Sequence, residues 1–68
     1  MTENEAEVLA FVRKYREEKG FSPSQDEIAE AVGRARGTVA RALTRLAAYG
    51  YLTRKPGWNR SIEIIKAA

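Results

Sequence analysis

The chain has 68 residues and contains neither cysteine nor histidine, which excludes disulfide frameworks, zinc-finger ligand sets and the commonest catalytic bases. At this length one small domain is expected over residues 1–68, with a shallow core that depends on close helix packing. Its 12 basic and 9 acidic residues give a net charge of +3, and no apolar run approaches the length of a membrane span.

Charge is divided unevenly between the two halves of the chain. Residues 1–30 carry eight acids and four bases, a net charge of −4, whereas residues 31–68 carry eight bases and one acid, Glu63, a net charge of +7. Such a division is typical of a protein that turns one face toward a polyanion. A basic surface that is merely solvated is the alternative interpretation.

The first predicted helix covers about residues 3–19. Thr2 and Glu5 form a capping-box pattern at its start. Apolar residues then recur at helical spacing, at Val8, Phe11, Val12 and Tyr15. Gly20 suits the left-handed residue that ends such a helix. Phe21, in the extended link that follows, is expected to insert into the core.

The second predicted helix is short and covers about residues 25–32. Pro23 prevents the first helix from continuing, because proline disfavours helical geometry at the preceding residue. Ser24 and Glu27 form a second capping-box pattern, and Gly33 is placed to terminate the helix. So short a helix is stable only against neighbours, which makes it part of a larger helical unit.

The third predicted helix covers about residues 36–49 and ends at Gly50. Only two or three residues separate it from the second helix, so the two form a helix-turn-helix. Its apolar positions are Val39, Leu43 and Leu46. Arginines occupy the other side, and no acid occurs between Glu30 and Glu63 to pair with them within the helix. The pattern predicts a recognition helix in the DNA major groove.

After the third helix the apolar period changes from 3.6 to 2, which predicts a β-hairpin wing over about residues 51–65. Residues 51–54 and 60–65 are the expected strands, and Pro56-Gly57 suits the turn between them. Side chains expected to face the helices are Leu52, Ile62 and Ile64, and those expected to face water are Thr53, Ser61 and Glu63. Three helices followed by a hairpin predict a small, mainly helical α+β fold, the winged helix-turn-helix.

Two segments resemble one family and a third resembles another. The runs FVRKYREEKGFSPSQDEIAEAVG and YGYLTRKPGWNRSIEII are similar to the N-terminal DNA-binding domain of LexA-type repressors. The segment RARGTVARALTRL is instead similar to GntR-type winged helices. That second resemblance implies that Arg36, Thr38 and Arg41 face DNA. The family pattern has serine where this chain has Ala35, so the third helix is expected to be poorly capped.

The LexA resemblance also implies a self-cleaving domain, and the GntR resemblance an effector domain. Neither would fit within 68 residues. We therefore expect either an excised DNA-binding domain or a small free-standing regulator.

The candidate DNA contacts of the turn and third helix are Arg34, Arg36, Gly37, Thr38, Arg41 and Arg45. Arginine can offer a bidentate fork to guanine O6 and N7. Thr38 can touch a phosphate or a thymine methyl, or serve only as a polar group at the helix start. Gly37 allows close approach of the backbone to a phosphate, with turn flexibility as the competing explanation.

Further candidate contacts flank the recognition helix. At the start of the second helix, Ser22, Ser24 and Gln25 lie where backbone N–H groups can bind a phosphate; Ser24 is also explained as a cap. Around the wing turn the candidates are Arg54, Lys55, Trp58, Asn59 and Arg60, placed to follow the backbone or enter the minor groove. Trp58 has an alternative role as a cover over Leu52 or Ile62.

These observations predict sequence-specific binding of double-stranded DNA by a transcriptional regulator or repressor. A homodimer on a pseudo-palindromic site is expected, and the candidate dimer contacts are Tyr49, Tyr51, Trp58 and the exposed part of the first helix. We expect no enzyme activity, metal, cofactor, small-molecule ligand or membrane association, and a cytoplasmic, nucleoid-associated location. The alternatives are a replication, recombination or architectural DNA-binding protein, and a winged helix that binds only proteins.

Overall fold

A computed structural model describes residues 1–53 and 62–65 of the chain. Its elements are, in order, α1 (Glu3–Lys19), α2 (Gln25–Val32), α3 (Arg36–Ala48), β1 (Leu52–Thr53) and β2 (Glu63–Ile64). Helices α1 and α2 have the bounds expected from the sequence, and α3 ends one residue earlier than expected. The predicted fold class, a small and mainly helical winged helix-turn-helix, is confirmed.

Helices α1 and α2 each begin with a complete capping box. At α1, Thr2 Oγ1 accepts the N–H of Glu5 and the Glu5 carboxylate accepts the N–H of Thr2. Ser24 and Glu27 repeat this exchange at α2. The N-cap residue of α3 is Ala35, which makes no side-chain cap hydrogen bond. Because a side-chain cap contributes about 1 kcal/mol, α3 has the least stabilised start of the three helices.

Two glycines in the left-handed conformation set the ends of α2 and α3. Gly33 has a φ of 70° and donates its N–H to the Ala29 carbonyl. Gly50 has a φ of 87°, and the residue after it, Tyr51, donates to the Leu46 carbonyl at 3.0 Å. These bonds satisfy carbonyls that a helix end would leave open. They also reverse the chain sharply, so that α3 follows α2 closely and β1 follows α3 closely.

All three helices and the hairpin contribute to one apolar core. Its buried members are Val8, Leu9, Val12, Ile28, Ala29, Val39, Ala42, Leu43, Leu46, Leu52 and Ile62. Phe11 and Val32 pack against this cluster while partly exposed. Leu9 and Ala42 were not among the core positions expected from the sequence, so the buried faces of α1 and α3 are wider than their predicted stripes.

The two strands pair antiparallel, with Leu52 opposite Ile64 and Thr53 opposite Glu63. Leu52 is buried and Ile64 half-buried, whereas Thr53 and Glu63 are exposed, as the alternation predicts. Among the described residues the strands are two residues long each. The predicted turn around Pro56-Gly57 lies outside the described residues.

The link between α1 and α2 contradicts one prediction. Phe21 is 47% exposed and its ring packs edge-on against Tyr15, with centroids 5.7 Å apart. Ser22 and Pro23 are buried in its place. Ser22 occupies the inward position because its hydroxyl accepts the N–H of Ile62, and the ring of Phe21 lies outside the core.

Candidate nucleic-acid interface

Helix α3 separates its apolar and basic residues onto opposite faces. The buried face consists of Val39, Ala42, Leu43 and Leu46. Arg36, Arg41 and Arg45 are exposed on the other side. Because the apolar face packs against α1 and α2, the arginines project away from the core, where a large partner can reach them.

Arginines at the start of α3 are paired with acids from the other two helices. Arg36 Nε lies 2.8 Å from Asp26 Oδ1 in α2, and Arg34 Nη2 lies 3.0 Å from Glu7 Oε1 in α1. Both partners of the first pair are about two-thirds exposed, so the pair adds less than about 1 kcal/mol to stability. Such a pair is easily exchanged for a phosphate or a base.

Arg45 is paired with an acid that is buried. Its Nε lies 3.9 Å from Oε2 of Glu5, whose side chain is only 3% exposed. The other carboxylate oxygen of Glu5 accepts the N–H of Thr2 at 3.0 Å, so this acid is held in place by the start of α1. Arg41, in contrast, is exposed and forms no ion pair with any residue that the structure describes.

These ion pairs were missed by sequence reasoning. It correctly excluded pairing within α3, because no acid lies between Glu30 and Glu63, but it did not expect partners from α1 and α2. The only sequence signal was the acidic first half of the chain. Which acid meets which arginine depends on helix packing, which residue spacing does not encode.

An open cleft of about 390 Å³ separates the start of α1 from the polar face of α3. Its walls are Thr2, Asn4 and Glu5 on one side and Thr38, Arg41, Ala42 and Arg45 on the other. Asn4 Oδ1 is buried without a hydrogen-bond partner among the described residues. The first turn of α1 therefore lies beside the candidate DNA-facing residues.

Gly37 and Thr38 occupy the first turn of α3. Thr38 is half-buried and lines the cleft. A Cβ atom built on Gly37 would meet nothing within 4 Å, so packing within the described structure does not require glycine there. Open space at this position leaves room for the backbone to approach a partner closely. The predicted DNA contact of Gly37 stays a prediction.

The start of α2 contributes fewer candidates than the sequence suggested. Ser24 is engaged as the helix cap, and Ser22 is fully buried, so the predicted surface contact of Ser22 is wrong. Gln25 is half-buried at the first helical position. It remains a candidate for contact with a phosphate.

The wing candidates Arg54, Lys55, Trp58, Asn59 and Arg60 lie outside the described residues and stay predictions, and so does the proposed cover of the hairpin by Trp58. Ile62, where the described chain resumes, is buried against the helices. The wing therefore returns to the same core that holds α3.

Two tyrosines lie together at the end of α3. Tyr49, which is 46% exposed, meets Tyr51 edge-on with ring centroids 6.3 Å apart. Both tyrosines border an open cleft beside Met1.

Within residues 1–53 and 62–65 there is no cluster of three or more metal-ligating side chains. The helices of that part of the chain are too short or too polar to cross a membrane.

Comparison with known proteins places this fold and site in a family. Residues 1–61 match the LexA DNA binding domain family. The LexA repressor of Caldicellulosiruptor saccharolyticus is 42% identical over 66 residues, which cover 96% of this chain and 33% of that protein. The LexA repressor of Geobacillus sp. is 41% identical, over 98% of this chain and 33% of its own length.

A third relative, the LexA repressor of Staphylococcus epidermidis, is 41% identical over 96% of this chain and 32% of its own length. The chain thus spans about a third of the length of these relatives. The similarity of residues 34–46 to GntR-type winged helices stays a prediction. By its fold, its helix-turn-helix and these matches, the chain belongs to the LexA DNA-binding domain family.

Proposed function

We propose that this chain binds double-stranded DNA sequence-specifically, as the DNA-binding part of a transcriptional repressor. Membership in the LexA DNA-binding domain family supports the function, and the similar relatives are named as repressors. The observation that carries the proposal is the exposed face of α3, where arginines stand opposite the buried stripe and no acid of the same helix neutralises them.

Helix α3 enters the major groove with its N-terminal half foremost. Arg36 and Arg41 reach base edges there, since arginine offers two parallel N–H donors to guanine O6 and N7. Thr38 meets a phosphate or a thymine methyl, and the Gly37 backbone passes close to the sugar-phosphate chain. Arg45 stands about two and a half turns beyond the start of α3 and contacts the groove more peripherally.

Contacts to the DNA backbone come from the elements on either side of α3. Gln25 at the start of α2 binds a phosphate, with Ser24 as the neighbouring cap. Arg34 and the wing cations neutralise phosphates beyond the recognition helix; the wing cations are Arg54, Lys55 and Arg60. Such contacts orient the domain on the duplex and make binding strongly dependent on salt.

Two copies bind adjacent half-sites of a pseudo-palindromic operator. A single domain of this size buries too little DNA surface for the affinity typical of a specific regulator, and repeated half-sites raise that affinity. The exposed Tyr49 and the half-buried Tyr51 offer apolar surface for contact between copies. The location that suits this role is the cytoplasm, at the nucleoid. The role itself is binding without catalysis.

The test begins by selecting bound duplexes from a random pool, which reports the preferred sequence and the half-site spacing together. Affinity is then measured for the preferred and a random duplex at several salt concentrations. Arg36→Ala and Arg41→Ala should each lose roughly tenfold in affinity for the preferred duplex. Lys14→Ala, an exposed cation on α1, is the matched control and should change it little.

Three outcomes contradict the proposal in different ways. Equal affinity for both duplexes would favour an architectural DNA-binding protein. No retention of any duplex would favour a winged helix that binds proteins. Unchanged affinity of folded Arg36→Ala and Arg41→Ala variants would remove these residues from the interface.

A further inference from the structure

We propose that Asp26 and Glu5 are positioning residues for base recognition: each holds an arginine of α3 at Nε and leaves its two Nη groups free for a base. The inference rests on the proposed function, because it assigns a role in reading DNA. It extends the interface to one acid of α1 and one acid of α2. Acids at such a surface would ordinarily be expected to repel DNA.

In both pairs the atom of the arginine that lies nearest the acid is Nε, although only the Arg36 contact is within hydrogen-bond distance. Arg36 Nε lies 2.8 Å from Asp26 Oδ1, and Arg45 Nε lies 3.9 Å from Glu5 Oε2. A guanidinium carries five N–H donors, of which only one is on Nε. A contact at Nε does not require either Nη group, and the Nη1–Nη2 edge is a fork suited to guanine O6 and N7.

The acids belong to α1 and α2, so their positions do not depend on α3 and they can fix the direction of its arginines. Glu5 is the more rigid of the two, because it is 3% exposed and its second oxygen accepts the N–H of Thr2. Asp26 stands in the first turn of α2 and makes the shorter contact, although its side chain is 70% exposed. The Glu5–Arg45 pair thus has a buried acid at a longer distance, and the Asp26–Arg36 pair has an exposed acid at a short distance.

Positioning explains why acids are tolerated at a surface that meets phosphates. An unsupported arginine samples many rotamers, and ordering it on DNA opposes binding. An acid at Nε restricts the arginine rotamers before DNA binds. Binding then favours the base whose acceptors lie in the direction of the Nη groups. Arg34 differs, because Glu7 contacts its Nη2 and so occupies the edge that a base would need. Arg41 has no ion-pair partner among the described residues and serves as the internal contrast.

The test uses Glu5→Gln and Asp26→Ala. Glutamine can replace glutamate in a capping box, so Glu5→Gln removes the charge beside Arg45 and keeps the helix cap. Glu3→Gln in α1 and Glu30→Ala in α2 are matched controls, since both acids are exposed and form no ion pair with other described residues. Thermal unfolding verifies that every variant is folded.

The base pair read by each arginine is first identified as the position where Arg36→Ala or Arg45→Ala lowers discrimination. At that position Asp26→Ala or Glu5→Gln, respectively, should lower discrimination roughly three- to tenfold, a part of what a bidentate contact supplies. Affinity for a random duplex should stay equal or rise, because a negative charge near the phosphates has been removed. The two controls should keep full discrimination.

A second measurement needs no DNA. In the free protein, the Nε–H of Arg36 and Arg45 should exchange with solvent more slowly than that of Arg41, and the acid variants should abolish the difference.

Each pair is judged separately. The inference is overturned for a pair if its acid variant keeps full discrimination, or if affinity for both duplexes falls equally, as a purely structural role would cause. It is overturned as well if the alanine variant of the arginine shows no base-specific loss. A parent protein without any preferred duplex would refute the proposed function itself, and the inference with it.

Discussion

Arg16 donates a hydrogen bond from Nη1 to the backbone oxygen of Ile62 at 2.9 Å. The backbone N–H of the same isoleucine donates to Ser22 Oγ at 3.3 Å. Side chains 46 and 40 residues earlier in the chain thus satisfy both polar backbone groups of a residue that is 4% exposed. The first half of the chain thereby determines where the hairpin returns to the core.

Ser22→Ala should lower the free energy of unfolding by about 1–3 kcal/mol, because it leaves the buried N–H of Ile62 without this acceptor. Urea denaturation followed by circular dichroism measures the change. Thr44→Ala is the control: its hydroxyl donates to the Ala40 carbonyl on an exposed face of α3, and its removal should change stability by less than about 0.5 kcal/mol. Equal effects of the two substitutions would show that the hydrogen bond from the Ile62 N–H to Ser22 Oγ adds little to stability.

Ala35→Ser should raise the free energy of unfolding by about 1 kcal/mol. Ala35 has the extended φ and ψ of an N-cap, −68° and 152°, but no side-chain acceptor, and serine supplies one for the first-turn N–H groups. A rise in Tm of roughly 4–8 °C is the corresponding shift for a domain of this size. Amide exchange of Gly37 and Thr38 should slow at the same time.

Ser24→Ala is the opposite control, since it removes an existing cap from α2 and should lower stability by a similar amount. A serine at position 35 that changes neither Tm nor exchange would mean that the start of α3 is already satisfied by other groups.

Gly37→Ala should move stability and DNA affinity in opposite directions. Alanine is favoured over glycine in a helix by roughly 1 kcal/mol, and its Cβ would meet no atom of the described residues within 4 Å. If the Gly37 backbone lies against the phosphates as proposed, the same methyl group separates the two and weakens binding. Thermal unfolding and duplex titration measure the two effects. A rise in stability with unchanged affinity would leave turn flexibility as the explanation for the glycine.

Arg41→Ala should leave the free energy of unfolding within about 0.5 kcal/mol of the parent, because Arg41 is exposed and loses no ion pair with a described residue. Its effect on binding distinguishes two kinds of contact. A base contact predicts a loss confined to the preferred duplex, whereas a phosphate contact predicts an equal loss for all duplexes and a salt slope smaller by about 1. We expect the first result.

Local features of this chain were predictable because their causes lie within a few residues. Thr2 with Glu5, and Ser24 with Glu27, identify two helix starts, and Gly33 identifies an end. The apolar period separates α3 from the hairpin after it. Such signals depend on hydrogen bonds and side-chain directions inside a single turn, which spacing along the chain encodes directly.

The amino-acid sequence by itself therefore determined the order of elements, their caps, the winged helix-turn-helix class and the arginine face of α3. Only the tertiary structure decided that Ser22 is buried while Phe21 faces outward, and that Glu5 and Asp26 meet Arg45 and Arg36. These relationships join residues of different elements. Their distances depend on how the elements pack around a shared core, and no local spacing specifies that packing.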